Sequence, residues 1–303
     1  MLNKIKTLLI RVLKDIRGRR SCFSDDDKIL IARGIILQHL QLSSKKINDY
    51  EFKVFSQFSD DGIIQFLIRK ARIINQCFIE FGVQDYSESN TRFLLMNDNW
   101  SGFIMDGSTD AINRIKKQSY FWKYDLQAFQ AFITKDNINS LMSQTGWEDV
   151  GLLHIDIDGN DYWIWKEMDI SKLRPSIVII EYNSLFGAEK TITIPYKEDF
   201  NRTVAHFSNL YQGASLKALV NLSQEKGYAF VGCNKAGNNA YFVRKDRLND
   251  LGAVKIEEGY VESKFRESRD EAGFKTFVRG KDRIALIKKL PVYNTETNKE
   301  EWL

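Results

Sequence analysis

Short apolar runs alternate with helix-like stretches through the middle of the chain. Each run ends in glycine or a polar residue, as buried strands do, and the stretches between repeat apolar residues at helical spacing. This alternation predicts an α/β fold, a mostly parallel sheet with helices on both faces, closed by an antiparallel hairpin. The predicted strands are Cys77–Gly82, Gly102–Gly107, Tyr120–Tyr124, Val150–Asp158, Ser176–Asn183, Tyr228–Cys233 and Asn239–Arg244.

The pattern divides the chain into four segments. Residues 1–20 form a predicted basic amphipathic helix, and residues 21–75 form a helical region. The alternating domain spans 76–245, and a densely charged extension covers 246–303. The first segment has an apolar stripe and seven cations against one acidic residue, Asp15. Such a helix can lie on an anionic membrane surface, or pack on its own domain or on a second copy.

The composition and charge of the chain argue against several classes of protein. The chain has 303 residues, 43% hydrophobic and 28% charged, with a net charge of +4 that the basic arm supplies. The near-neutral remainder argues against a nucleic-acid surface. Three widely spaced cysteines give neither a disulfide framework nor a zinc site. We find no signal peptide and no apolar run of ~20 residues. We therefore expect a cytoplasmic protein, peripheral on the inner membrane face if the arm binds lipid.

Acidic side chains follow the predicted strands with regularity. Glu80 and Asp106 end the first two strands, Asp156 and Asp158 end the fourth, and Glu181 ends the fifth. Because parallel sheets bind ligands beyond the carboxyl ends of their strands, these residues are expected to rim one site.

Four stretches, FIEFGVQDYSESNTRFLL, NWSGFIMDGS, LLHIDIDGNDYWIW and IVIIEYN, together resemble the FkbM-like branch of class I S-adenosylmethionine-dependent methyltransferases. The resemblance covers Phe55–Arg244 and implies a Rossmann-like class I methyltransferase fold with S-adenosylmethionine as cofactor. It implies that Glu80, Gly82 and the loop that follows surround the methionine part. This loop departs from the family pattern, since Gln84 and Tyr86 stand where small residues are usual.

The same resemblance implies further roles. Asp106 is expected to bind the ribose hydroxyls, and Asp125 to face the adenine amino group. Asp156, Asp158 and Glu181 either bind Mg²⁺ or include the general base that takes a hydroxyl proton. His206 is a further candidate for a base or a substrate contact. The implied acceptor is a sugar or a glycan-linked group of a cell-surface polysaccharide.

Three other interpretations of the function remain open from the sequence. The Asp156-Ile157-Asp158 sequence fits the metal clamp of a glycosyltransferase that uses nucleotide sugars. The stretch IDIDGN is also similar to the nucleophile strand of haloacid-dehalogenase-like phosphatases. A degenerate methyltransferase fold that acts as an assembly partner is the non-catalytic alternative, favoured by the scarcity of glycine after the first strand.

Overall fold

The computed structural model describes residues 23–303, so the arm predicted at residues 1–20 lies outside the described part. The described residues divide between Leu42 and Ser43 into two compact units. In the first, helix α1 (Asp25–His39) starts at a capping box: the Ser24 hydroxyl accepts from the Asp27 N–H, and the Asp27 carboxylate accepts from the Ser24 N–H. None of the helices described is long and apolar enough to cross a membrane.

A seven-stranded sheet organises the second unit, in the order β3-β2-β1-β4-β5-β8-β7. Strands β1 to β5 run parallel, and β8 lies antiparallel between β5 and β7. This confirms the predicted Rossmann-like sheet with its closing hairpin. The strands are β1 (Cys77–Phe81), β2 (Ser101–Asp106), β3 (Leu126–Gln130), β4 (Leu152–Ile155), β5 (Ile177–Glu181), β7 (Tyr228–Cys233) and β8 (Asn239–Arg244).

Helices cover both faces of the sheet. Alternate residues of β1 belong to opposite cores, because successive side chains of a strand point to opposite faces: Ile79 packs in one core and Phe78 in the other. The helices of this unit are α2 (Asp60–Lys70), α3 (Arg92–Asp98), α4 (Thr109–Lys116), α5 (Ser119–Lys123), α6 (Ile138–Ser143), α7 (Asp161–Glu167), α8 (Arg202–Ala205), α9 (Leu216–Glu225), α10 (Ile256–Gly259) and α11 (Lys281–Ile287).

The third strand lies elsewhere than predicted. Tyr120–Tyr124 was expected to be a strand, but most of it belongs to α5, and β3 begins at Leu126. As an edge strand, β3 buries Leu126 and Ala128 and leaves Gln127 exposed. The alternation of apolar and polar residues in β3 is short and contains two glutamines. It therefore does not resemble the continuous apolar runs of the central strands.

The charged extension folds with the rest of this unit. Strands β9 (Pro291–Asn294) and β10 (Lys299–Trp302) form a small antiparallel sheet with β6 (Ile192–Thr193). Ile287 and Val292 are fully buried in a third apolar cluster with residues of the β5–α9 connection. The predicted boundaries at residues 75 and 245 therefore fall inside one compact unit.

Candidate active site

Two adjoining cavities open at the carboxyl ends of the parallel strands. The first, of about 310 Å³, lies over β1, β2 and β4, and the second, of about 330 Å³, extends toward β5 and the C-terminal extension. Both are lined by Gly82, Gln84, Asp156, Asp158 and Arg202, which form a shared wall. Asp106 lines only the first of these cavities, and Glu181 only the second.

Gly82 lets the ends of β1 and β4 approach each other. Its φ of +71° suits glycine, and a Cβ built there would lie 1.6 Å from the carbonyl oxygen of Asp156. The Gly82 N–H donates to the Met105 carbonyl at 2.9 Å, which also ties β1 to β2. No other residue fits this backbone, so the shared wall depends on Gly82.

The loop after β1 follows a glycine-type path without further glycines. Gln84 and Tyr86 have φ of 48° and 60°, in the left-handed region. Tyr86 is fully buried, and its hydroxyl hydrogen-bonds that of Thr91 at 2.9 Å. Burial and the bond to Thr91 hold a conformation that non-glycine residues rarely adopt. The two residues that stand out in the sequence of this loop are therefore the two that adopt left-handed backbone turns.

Asp106 is fixed at the tip of β2. One carboxylate oxygen accepts from the Gln84 N–H at 2.7 Å, and the other accepts from the Ser108 N–H at 2.7 Å. A carboxylate oxygen has two lone pairs, so each retains capacity for a second donor. The side chain lines the first cavity.

The prediction for Asp125 is wrong in its placement. Because β3 begins at Leu126, Asp125 lies at the amino end of that strand, where its carbonyl accepts from the Gly102 N–H. The residues that follow β3 and do line the first cavity are Ala131, Phe132 and Ile133. Phe132 is 51% exposed beside Gly107 and offers an apolar surface to the cavity. Correct placement of β3 would have revealed this segment.

Glu80 is buried and takes part in an internal ion pair. Its carboxylate accepts from His154 Nδ1 at 2.9 Å, Ser89 Oγ at 2.6 Å and the Asn90 N–H at 3.0 Å, and also from the Thr91 hydroxyl. Burial opposes ionisation of both partners and is the largest single influence, but the Glu80–His154 hydrogen bond and charge attraction, together with the hydroxyls of Ser89 and Thr91 on Glu80, outweigh it. The pKa of Glu80 is therefore lowered and that of His154 raised.

Asp156, Asp158 and Glu181 converge as the sequence predicts. Oxygen atoms of the three side chains all lie within 4.8 Å of one another. Burial and the neighbouring Asp158 raise the pKa of Asp156 to about 7. Burial and the charges of Asp156 and Asp158 raise the pKa of Glu181 well above its usual value. We call these three residues the carboxylate triad; their mutual repulsion favours a proton or a cation at this place.

Three residues that sequence reasoning missed surround the triad. Arg202 donates to Asp158 at 2.7 Å, to Gln212 Oε1 at 2.9 Å and to Glu267 at 3.1 Å. Gln212 Nε2 donates in turn to Glu181 at 3.3 Å. These residues come from α8, the loop before α9 and the C-terminal extension, so their convergence has no signal in local sequence.

The turn between β4 and α7 shapes the wall of the first cavity. Asp161 is fully buried and accepts from the N–H groups of Ile157 and Gly159, both at 2.9 Å. It holds Asp158 at a φ of 58°, which directs the backbone around the cavity. Asn160 donates to the Lys197 carbonyl at 2.8 Å, while its buried Oδ1 has no hydrogen-bond partner among the described residues.

The structure does not bring His206 into the site. Its Nδ1 lies 2.8 Å from Ser208 Oγ, and its ring packs against Phe207. It is absent from the lining of both cavities described above, and burial lowers its pKa. The prediction for His206 is therefore corrected: the residue of this segment that reaches the triad is Arg202, at the start of α8.

No protein-family model and no curated protein matches this sequence. Among solved structures, the N-terminal domain of EvdMO1 with SAH bound has a TM-score of 0.39 and 8% identity, covering 62% of this chain and 80% of that one. An O-methyltransferase from Bacillus cereus in complex with SAH has a TM-score of 0.42 and 10% identity, covering 76% and 95%. The chemistry of the site has to be judged from its own residues.

Proposed function

We propose that this protein is an S-adenosylmethionine-dependent O-methyltransferase acting on a sugar or a glycan-linked hydroxyl of a cell-surface polysaccharide. The observation that carries the proposal is the shared wall. One cavity with a ribose-type carboxylate, Asp106, adjoins a second, polar cavity, and Asp156, whose pKa is raised by burial, lines both. A donor and an acceptor that occupy these cavities would meet at Asp156.

In this proposal the first cavity takes the cofactor, which supplies a methyl group activated by a positively charged sulfur. The free lone pairs of Asp106 accept from the ribose hydroxyls, and Phe132 packs against the adenine. Asn160 Oδ1, which is buried and has no hydrogen-bond partner within residues 23–303, is a further acceptor in the lining of the first cavity. Asp156 and Asp158 favour a cationic sulfur by their charge.

Asp156 is the proposed general base. A carboxyl group with a pKa of about 7 is half ionised near neutral pH and can take a proton from an attacking hydroxyl. As the acceptor oxygen bonds to the methyl carbon, the carbon–sulfur bond breaks and the hydroxyl proton passes to Asp156. Alignment of the two reactants supplies most of the remaining acceleration.

The triad also fits a divalent cation, and Mg²⁺ bound there is the alternative to Asp156 as a free base. Asp156, Asp158 and Glu181 offer hard oxygen ligands within one another's reach. Burial and mutual repulsion raise the pKa of Asp156 and of Glu181, and a cation would relieve that repulsion. Mg²⁺ would lower the pKa of the acceptor hydroxyl. Arg202 already supplies part of the charge through Asp158.

Calorimetry with S-adenosylhomocysteine, the demethylated cofactor, tests the proposal. We expect Asp106→Asn to weaken binding about 10- to 100-fold, because it removes the charge from the hydrogen bonds to two hydroxyls. Asp110→Asn, an exposed carboxylate in the first turn of α4, is the matched control and should bind as the wild type does. Equal affinity of the wild type and Asp106→Asn would contradict the assignment.

The alternative functions predict different results in binding and activity assays. Binding of a UDP-sugar only with metal would favour a glycosyltransferase. Release of phosphate from an aryl phosphate, lost in Asp156→Asn, would favour a phosphatase. A chain that binds none of these ligands would be an assembly partner.

A further inference from the structure

A third cavity in the C-terminal extension is strongly basic. It measures about 410 Å³ and is lined by Glu262, Ser263, Lys264, Arg266, Arg279 and Arg283, together with Gly280. Its four cationic side chains and one carboxylate leave a net charge of +3. Within residues 23–303, Lys264, Arg266 and Arg279 form no ion pair, although Arg266 lies 5.5 Å from the Phe277 ring.

Arg283 gives this cavity a fixed inner wall. Its side chain is buried, 3% exposed, and donates to the Ser263 carbonyl at 2.6 Å and to the Ser263 hydroxyl and the Phe265 carbonyl at 3.1 Å each. The carboxylate of Glu262 lies 3.6 Å away. The Nε of Arg283 is buried and has no hydrogen-bond partner among the described residues. The guanidinium is therefore a positive charge held in place at the inner wall, and such a charge favours an anion in the cavity.

The basic cavity lies close to the carboxylate triad. Ser263 and Arg283 also line a narrow cavity of about 40 Å³, whose other residues include Glu181, Arg202 and Glu267. Those three line the second cavity described above as well. The basic and the acidic sites therefore belong to a line of three cavities in which each cavity shares lining residues with the next.

We propose that the basic cavity binds a phosphate or diphosphate group carried by the methyl acceptor; the acceptor's role rests on the proposed function, but the anion site does not. A diphosphate matches the excess positive charge better than a single carboxylate does, and it accepts the paired donors of arginine. The triad repels an anion, so the two ends of the line would orient a phosphorylated acceptor with its hydroxyl toward Asp156.

Calorimetry of the full chain with inorganic pyrophosphate tests this site directly. We expect binding in the wild type, and about tenfold weaker binding in each of Arg279→Gln and Lys264→Gln, because each removes a charge-assisted hydrogen bond. Lys275→Gln, an exposed lysine of the same extension outside the lining, is the matched control. Absence of binding in the wild type, or equal weakening by the control, would overturn the proposal.

Two further measurements distinguish the anion site from its alternatives. If S-adenosylhomocysteine fails to bind while pyrophosphate binds with the expected mutational pattern, the methyltransferase proposal fails and the anion site stands. Flotation with vesicles of phosphatidylcholine and phosphatidylglycerol tests a membrane surface. Vesicle binding that is lost in Arg279→Gln, without any pyrophosphate binding, would overturn the phosphate assignment in favour of lipid.

Discussion

Two groups of carboxylates at the same edge of the sheet have opposite environments. Glu80, at the end of β1, is buried with a histidine and three neutral donors directed at its oxygens. The carboxylate triad, at the ends of β4 and β5, contains three acidic side chains with Arg202 as their cationic partner. The pKa of Glu80 is lowered, whereas those of Asp156 and Glu181 are raised.

The difference separates a carboxylate whose partners lie within the fold from carboxylates whose charge the fold leaves only partly compensated. In the folded protein, hydrogen-bond donors and His154 surround the Glu80 carboxylate. Glu80 therefore joins β1, β4 and the loop before α3. The triad is incompletely compensated, and such sites are where function is found more often than elsewhere. Position at a strand end does not distinguish the two groups; the hydrogen-bond partners do.

The largest expected effect is on the free energy of unfolding, which should distinguish Glu80 from the carboxylate triad. Glu80→Gln should lower the free energy of unfolding by about 3–5 kcal/mol, because it leaves one partner of a buried ion pair without its counter-charge. Asp156→Asn keeps the side-chain size and relieves repulsion, so it should change stability by less than about 1 kcal/mol or increase it. Urea denaturation near pH 7 measures both. If both variants lose the same free energy of unfolding, the distinction between Glu80 and the triad is wrong.

The pH dependence of stability should identify the triad. A carboxyl whose pKa is raised from 3.8 to about 7 on folding contributes stability that is present below about pH 4 and is lost as the pH rises through about 7. The wild type should therefore lose more stability than Asp156→Asn between about pH 5 and about pH 8. Urea denaturation at both pH values, in chelator, gives the difference.

His154 has to be separated from this effect. Its pKa is raised by the Glu80 pair, so its contribution is also present below its unfolded pKa of 6.5 and lost as the pH rises through the folded value. The part of this shift that comes from Glu80 remains in Asp156→Asn and cancels in the comparison of the two proteins. The smaller part that comes from the charge of Asp156 is lost in the variant, which adds to the expected difference in the same direction. Parallel pH profiles of wild type and variant would mean that Asp156 is not the group of raised pKa.

Magnesium gives a smaller and concentration-dependent effect. Saturating Mg²⁺ should stabilise the wild type by about 1–3 kcal/mol, because a ligand of the folded state alone raises its stability by mass action. Glu181→Gln should reduce that gain, and Glu189→Gln, at an exposed position, should not. Thermal unfolding with Mg²⁺ and with EDTA measures it. No shift in the wild type would leave Asp156 as a base without a metal.

The sequence predicted the parts of the site that lie on regular strands. Asp106, Asp156 and Glu181 follow apolar runs long enough to locate a strand end, and parallel pairing then places them at one edge. The same reasoning placed Glu80 at that edge, but its side chain is used in an internal ion pair and lines neither of the two cavities. The prediction failed for Asp125, because the edge strand β3 has only a short, glutamine-rich alternation.

Residues from irregular segments could not be predicted in this way. Arg202, Gln212 and Glu267 meet through tertiary packing of three distant segments, which no local spacing records. His206 was chosen for its chemistry, although the backbone turns its ring toward Ser208. Chemical suitability of a residue type is therefore a weaker guide than its position at the end of a buried strand.

The smallest expected effect concerns the loop that joins Glu80 to its donors. Gln84 has a φ of 48°, a conformation that costs a non-glycine residue about 1–2 kcal/mol. Gln84→Gly relieves this strain but adds freedom to the unfolded chain, so a net gain below about 1 kcal/mol is expected. The N–H that donates to Asp106 remains, so affinity for S-adenosylhomocysteine should not change. Glu88→Gly, whose φ is not positive, should instead lower stability in the same urea denaturation. If both variants lose stability equally, the left-handed turn at Gln84 carries no strain, and the scarcity of glycine in this loop costs the fold nothing.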